Sequence, residues 1–560
     1  MNASPERNVN GERFALNAKV ERRTTAGLIA TLLALQLYLI FFKSFNWDEF
    51  LHYSQVYAAR HSTLSAPFQV LHSRILFWVP DAADSLVTQL MLARLFMWGC
   101  TLVTMAAIFG LARQFVAQTN ALYAPLAYLT AGYVFTHSFS IRADPMAAAT
   151  LMGALYLFAS GKFNIGRCLV VGALAGLAGM ITLKSIFYAP CFAGIAWWRL
   201  CQGNASNRIL VNLAVMVMAA IGVFACIYLL HKSGLAEIPA RFASAGSLLR
   251  TGGGWFFADD KFPLYYLGKQ ALIGIIFMIA IVLAPFGWRR DEIGPAGRIA
   301  LIGLAAPLFV LLVYRNTFPY FYVFLLAPVA VTVAPALGLL RERYGAVPLL
   351  VALALAPAFL TVSEPRDYIG RQAAMIDYIH REYPKPVGYL ARSGSISDFP
   401  RVFDYLTTGN GIGGYYQRGE PIVAEKIEAG EMAFVLATHI NILAALEGKP
   451  RPQTFLPQDV ALLSDNYVQQ WGPLYREGKS LPTGAAHYDF TTPHQGPYTL
   501  DGTERLVIDG IAINPGQTIV LDKGAHRVES PRRDRSILWQ GKNLPSPPPM
   551  EWTGAFYTDF

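Results

Sequence analysis

Apolar runs recur along the chain from residue 26 to residue 362 and then cease. A helix needs about 20 such residues to cross a bilayer, so the pattern predicts a polytopic α-helical membrane protein followed by a soluble tail. Eleven transmembrane spans are expected, at residues 26–42, 90–112, 121–140, 146–160, 168–183, 186–198, 209–230, 267–288, 299–314, 321–340 and 346–362. The fourth and sixth are short for a full crossing, which implies a recess in the membrane surface.

With 54% hydrophobic and 15% charged residues the composition fits this class. A net charge of +9 raises the question of nucleic acid, but the cations sit in short loops, so the excess is topological. Placing the amino terminus (1–25) in the cytoplasm makes every inside loop basic: Arg113, Lys162 with Arg167, Arg199 with Arg208, Arg289 with Arg290, and Arg341 with Arg343. An odd number of spans then puts the tail outside, in the periplasm of a cell whose inner membrane holds the protein. The first run lacks a small-residue cleavage site and reads as an uncleaved span. The five cysteines lie in or beside apolar runs, so no structural disulfide is expected.

Four regions are expected: residues 1–25, a membrane domain 26–362 with long outside loops at 43–89 and 231–266, an α/β subdomain 363–485, and a β-rich subdomain 486–560 of sandwich type. Gly252-Gly253-Gly254 and Asp259-Asp260 make the second outside loop a lid candidate. The segment Gly409-Asn410-Gly411-Ile412-Gly413-Gly414 matches a dinucleotide fingerprint formally. With no clear strand before it and no helical pattern after it, nucleotide is not expected as a partner.

The chemistry-bearing residues lie at the ends of apolar runs. Asn46-Trp47-Asp48-Glu49-Phe50 follows the first run and opens a short interfacial helix, with Phe50, Tyr53 and Tyr57 at helical spacing. Arg142-Ala143-Asp144-Pro145 follows the third run, Lys184 ends the fifth, and Arg315 follows the ninth. Ionisable groups at such positions are functional or water-facing. A carboxylate such as Asp48 can take a proton from an attacking hydroxyl, and Lys184, Arg142 or Arg315 can stabilise charge growing on a departing phosphate. Asp48, Glu49 and Asp144 are also the oxygen ligands a divalent cation, Mg or Mn, would use. Each residue has a structural role as well. Asp48 and Asp144 suit helix capping, with Pro145 at the first helical position. Lys184 can snorkel from a span end and Arg315 can anchor at the interface, while Arg142 can pair with Asp144.

This order of motifs, the Asp48-Glu49 pair, Arg142-Ala143-Asp144-Pro145, and Gly176-Leu177-Ala178-Gly179-Met180-Ile181-Thr182-Leu183-Lys184, resembles the C-type polytopic glycosyltransferases. Bacterial relatives of the protein O-mannosyltransferases and the lipid A aminoarabinose transferases are the nearest comparison, over the first seven spans. The resemblance implies inverting transfer of a sugar from a polyprenyl-phosphate donor to a glycan, lipid or protein acceptor outside the cytoplasm. It puts the catalytic acid position at Asp48 with Glu49 beside it, and the second acidic position at Asp144. Lys184 falls on a lysine that contacts the donor phosphate, and Arg315, within Tyr314-Arg315-Asn316-Thr317, on a late basic position. The residues alone leave open a transporter or flippase of lipid-linked sugar, and a non-catalytic scaffold for envelope assembly.

Overall fold

The computed structural model describes residues 18–202, 206–236, 264–290, 293–314, 316–403, 409–484, 487–529 and 534–558. Arg315 and the glycine and aspartate motifs of the expected lid lie outside these residues. The chain forms two compact units: residues 1–43 with 58–365, and residues 44–57 with 366–560.

The first unit is helical: α1 (Ala18–Phe42), the end of α2 (Trp47–Arg60), α3 (Leu86–Ala112), α4 (Gln118–Leu129), α5 (Tyr133–His137), α6 (Ala143–Ala159), α7 (Ile165–Ile181), α8 (Ala189–Gln202), α9 (Ser206–Lys232), α10 (Leu264–Ile273), α11 (Ile275–Arg290), α12 (Pro295–Ala305), α13 (Phe321–Tyr344) and α14 (Ala346–Ser363). Among the described residues six helices are long and apolar enough to cross a membrane. The pair α10–α11, bent by 87°, makes up to seven. This is a multi-pass membrane protein, although fewer helices than the expected eleven qualify as full spans. Helices α6 and α7 are apolar but only 17 residues long, and another expected span is interrupted. The run 121–140 breaks into α4 and α5 at Gly132, whose φ of +56° is costly for other residues.

One side chain holds two of these breaks. Gln270, in α10 just before the bend at Gly274, accepts from the Tyr133 N–H at 2.9 Å and donates to the Ala131 carbonyl at 3.0 Å. Irregular backbone survives at membrane depth only when its polar groups are met by protein, and Gln270 meets them here.

Helix α13 is the centre of the unit, with 89% of its apolar window buried. Pro328 lies inside it and lacks the N–H that would bond Phe324 O. The Tyr188 hydroxyl donates to that carbonyl at 2.6 Å, and Tyr128 donates to Val323 O at 2.8 Å. Helix α9, by contrast, exposes Leu210, Val217, Met218 and Ile221, as a lipid-facing helix does.

Among the described residues the second unit carries most of α2, α15 (Tyr368–Glu382), α16 (Gly409–Arg418), α17 (Ile422–Glu428), α18 (Ile440–Leu446), α19 (Pro457–Asn466) and eleven strands. One seven-stranded sheet has the order β1 (Tyr389–Ala391), β2 (Phe434–Leu436), β4 (Leu474–Leu481), β11 (Ser536–Gln540), β6 (Gly496–Asp501), β9 (Thr518–Leu521), with β3 (Tyr467–Trp471) also on β4. Strands β5 (Tyr488–Thr492), β10 (Gly524–Val528), β7 (Leu506–Ile508) and β8 (Ile511–Ile513) form the other sheet. β1 and β2 are parallel and β2 with β4 antiparallel. β4 joins the two expected subdomains. Its start, from Leu474 to Glu477, pairs with β2 and β3, and its end, from Gly478 to Leu481, pairs with β11. The formal dinucleotide motif is the first part of α16, with Tyr415 buried and donating to Asp459.

Candidate active site

In the first unit three of the expected residues come together. Helix α6 begins at Ala143 with Arg142 as its extended N-cap, so Asp144 lies in the first turn instead of capping, as the sequence had suggested. A carboxylate there is favoured by the helix dipole, and Pro145 costs nothing because the first-turn N–H groups have no helical partner. Helix α7 ends at Ile181. Thr182 is extended and fully buried, and its hydroxyl accepts from Lys184 N. Ser185 donates at 2.8 Å to the Ala178 carbonyl, which also accepts from Thr182 N at 2.9 Å. This break turns Lys184 into the bundle, where it forms an ion pair with Asp144. It does not snorkel.

Arg142 lies 3.6 Å from the second Asp144 oxygen, with its guanidinium 3.1 Å from the centre of the Tyr320 ring. The Lys184 ammonium is 5.3 Å from the Phe321 ring centre and 5.9 Å from that of Tyr320. The side chains of Arg142, Asp144 and Lys184 are 10%, 2% and 10% exposed. Two cations and one anion are therefore buried together under an aromatic wall from the start of α13. Charges in such a place are costly unless they are paired.

Tyr320, Phe321 and Phe324 were not singled out from the sequence. An aromatic cluster at the start of an apolar run looks like an ordinary interfacial belt, and only Pro328, one turn beyond Phe324, was a local sign.

Asp48 and Glu49 belong to the second unit and stand in the first turn of α2. The cap is Asn46, not Asp48: Asn46 Oδ1 accepts from Asp48 N at 2.8 Å, while Glu49 Oε2 accepts from Asn46 N at 2.9 Å. This is a capping box, in which Asn serves as well as Asp. Glu49 is thus committed to the start of the helix. Asp48 is 5% exposed and Glu49 1%. Among the described residues no three His, Cys, Asp or Glu side chains gather as a metal site requires.

No protein-family model matches the sequence, and no curated protein matches it. Solved structures do. ArnT from Cupriavidus metallidurans, crystallised with undecaprenyl phosphate, superposes with a TM-score of 0.52 at 13% identity, covering 67% of this chain and 85% of that one. The chain has the fold of the C-type polytopic glycosyltransferases. The oligosaccharyltransferase AglB from Archaeoglobus fulgidus, in complex with an inhibitory peptide and a dolichol-phosphate, is similar at a TM-score of 0.49 and 10% identity, over 90% of this chain and 76% of its own. On this C-type fold, Arg142, Asp144 and Lys184 stand at the ends of membrane helices, with side chains turned inward.

Proposed function

We propose that this protein is a glycosyltransferase that moves a sugar from a polyprenyl-phosphate carrier to an acceptor on the periplasmic side of the inner membrane. The observation that carries the reading is the buried cluster in which Arg142 and Lys184 meet Asp144 in a C-type fold. A lipid-linked sugar phosphate carries one negative charge. When its glycosidic C–O bond breaks, the electron pair stays on the phosphate oxygen and the charge grows by one. Lys184 and Arg142 stabilise that growth. The acceptor hydroxyl forms the new bond at the anomeric carbon from the opposite face, inverting it, and gives its proton to the Asp48 carboxylate. Asp48 is the base in this reading, because Glu49 is engaged in the capping box. Asp144 holds Lys184 in place through their ion pair.

Basic loops support a cytoplasmic amino terminus. Arg341 and Tyr123 meet Glu21 near the start of α1, and Arg290 meets Glu342, so helix ends flanked by cations share one end of the bundle.

The test is binding of undecaprenyl phosphate to the purified protein and transfer from undecaprenyl-phosphate-linked sugars. Lys184→Ala should weaken lipid binding by about tenfold or more, as loss of a charged hydrogen bond does. Asp48→Asn should abolish turnover with lipid binding intact. Lipid bound equally well by Lys184→Ala removes the cluster from the donor site, and near-normal turnover in Asp48→Asn removes the base. The bent pair α10–α11 is the one feature that favours a flippase, since broken helices are common in transporters. Transport of lipid-linked sugar without transfer to any acceptor would select that reading.

A further inference from the structure

The helix that carries Asp48 is packed as part of the tail. Three separate parts of the second unit grip the segment 44–57. The fully buried Gln372 of α15 accepts from Phe45 N at 2.9 Å and donates to Phe45 O at 2.8 Å, and its amide also reaches Phe556 O at 3.0 Å. The loop after β1 passes so close to α2 that a Cβ on Gly394 would lie 2.3 Å from Ser54 Cβ and 3.0 Å from Phe50 O. Finally, the last residues of the chain return to the same place. Phe50 packs edge-on to Tyr557 at 6.0 Å and against Phe556 at 6.0 Å, while Ser44 and Thr558 share a 2.6 Å hydrogen bond.

The Tyr557 hydroxyl is anchored in turn. It bonds Ser393 at 3.0 Å and Ser395, in the loop beyond the carboxyl end of β1. Further back the strap is fixed by Trp552, whose indole would collide with any Cβ on Gly472 and which packs edge-on to Trp471 at 5.2 Å. Phe45, Phe50 and Tyr53 are all fully buried. An amphipathic helix lying on a lipid surface would need none of this. We infer that the tail is a positioning device for the proposed base: Gln372, the 393–397 loop and the carboxyl-terminal strap 552–558 fix the helix on which Asp48 stands.

The inference rests on Asp48 as the base for its meaning in catalysis, but not for its structural content, and the experiment separates the two. Hydrogen exchange of residues 50–57 is measured in the full-length protein in lipid for wild type, Tyr557→Ala, Tyr557→Phe, Gly394→Ala and Gly394→Ala/Ser54→Gly. Exchange should quicken by about tenfold in Tyr557→Ala and Gly394→Ala, as for a locally weakened segment, with peptides from α13 and β7 unchanged. Tyr557→Phe should keep most of the protection through its ring, and Ser54→Gly should restore much of what Gly394→Ala loses. With whichever undecaprenyl-phosphate-linked sugar supports wild-type turnover, the two loosened variants should lower kcat and leave donor KM unchanged, and the double variant should regain kcat. Unchanged exchange in both Tyr557→Ala and Gly394→Ala overturns the inference, as does quickened exchange with undiminished kcat where Asp48→Asn is inactive. If Asp48→Asn retains turnover the base reading fails, and the exchange data still decide whether the tail holds the helix.

Discussion

At the scale of single residues, Asp144 faces both Lys184 and Arg142, so Asp144→Asn takes the counter-ion from the buried Lys184. Breaking one side of a buried pair costs about 3–5 kcal/mol, whereas removing both partners costs far less. Thermal unfolding should therefore show a large loss in Asp144→Asn and substantial recovery in Asp144→Asn/Lys184→Met. In the second unit, His439 caps α18 by accepting from Asn441 N at 3.2 Å, which requires a neutral ring. Burial, with Arg392 and Arg451 nearby, pushes its imidazole down from 6.5 to about 4. A depressed folded value means the cap contributes fully above 6.5 and is lost as pH falls through about 4. The melting temperature of the tail should fall between pH 7 and pH 4, and His439→Asn, which caps without titrating, should flatten that part of the profile. The cluster was legible in sequence because each member sits at the end of an apolar run, where a charge stands out. The pairing of Lys184 with Asp144 was not, since it depends on how the break at Thr182 turns the side chain.

At the scale of elements, close helix packing carries the first unit. Gly172 and Gly176 put α7 against α9 so tightly that a Cβ would lie 2.2 Å from Met216 O and 2.4 Å from Ala220 O. Small residues spaced in this way allow backbones to meet where no hydrophobic force draws helices together. Gly176→Val should cost about 1–3 kcal/mol through overpacking. It should also reduce undecaprenyl phosphate binding, because α7 leads directly into the Thr182 break that aims Lys184. A variant that binds lipid normally and melts normally would show that the contact is dispensable. Gly176 was visible in the sequence as part of the motif before Lys184, but which helix it approaches was not. Helix α2 shows a similar limit. Its apolar spacing was read correctly as helical, yet its cap lies at Asn46, because Asn and Asp serve equally and only the backbone geometry tells them apart.

At the scale of the whole molecule, the chain passes from the first unit to the second twice, at 43–44 and 365–366. The residues just before these crossings are joined: Lys43 pairs with Glu364 at 2.9 Å, and the fully buried Arg94 donates to Lys43 O at 2.6 Å. Residues 44–57 are covalently continuous with the membrane helices and belong to the same unit as the tail, with Phe45, Phe50 and Tyr53 fully buried. A protease site placed after Pro365 should therefore leave the cut tail bound to the membrane portion in gentle detergent. Phe50→Ala should release it, since burial of one such ring stabilises by about 1.5–3 kcal/mol. Spontaneous release of the tail from the otherwise unaltered chain would show that the grip on α2 is weak.

That this is a polytopic helical membrane protein was already legible in the apolar runs, because runs of bilayer length have few other ways to satisfy their backbone. The sequence also marked out Asp48, Asp144, Arg142 and Lys184, because charges beside hydrocarbon are expensive enough to need a reason. The tertiary structure decided where runs break, which cation meets which carboxylate, that β4 unites the tail's two halves, and that the Asp48 helix packs with the tail. Those outcomes depend on contacts between residues hundreds of positions apart, such as Phe45 with Gln372, and a local pattern in one sequence carries no trace of such a partner.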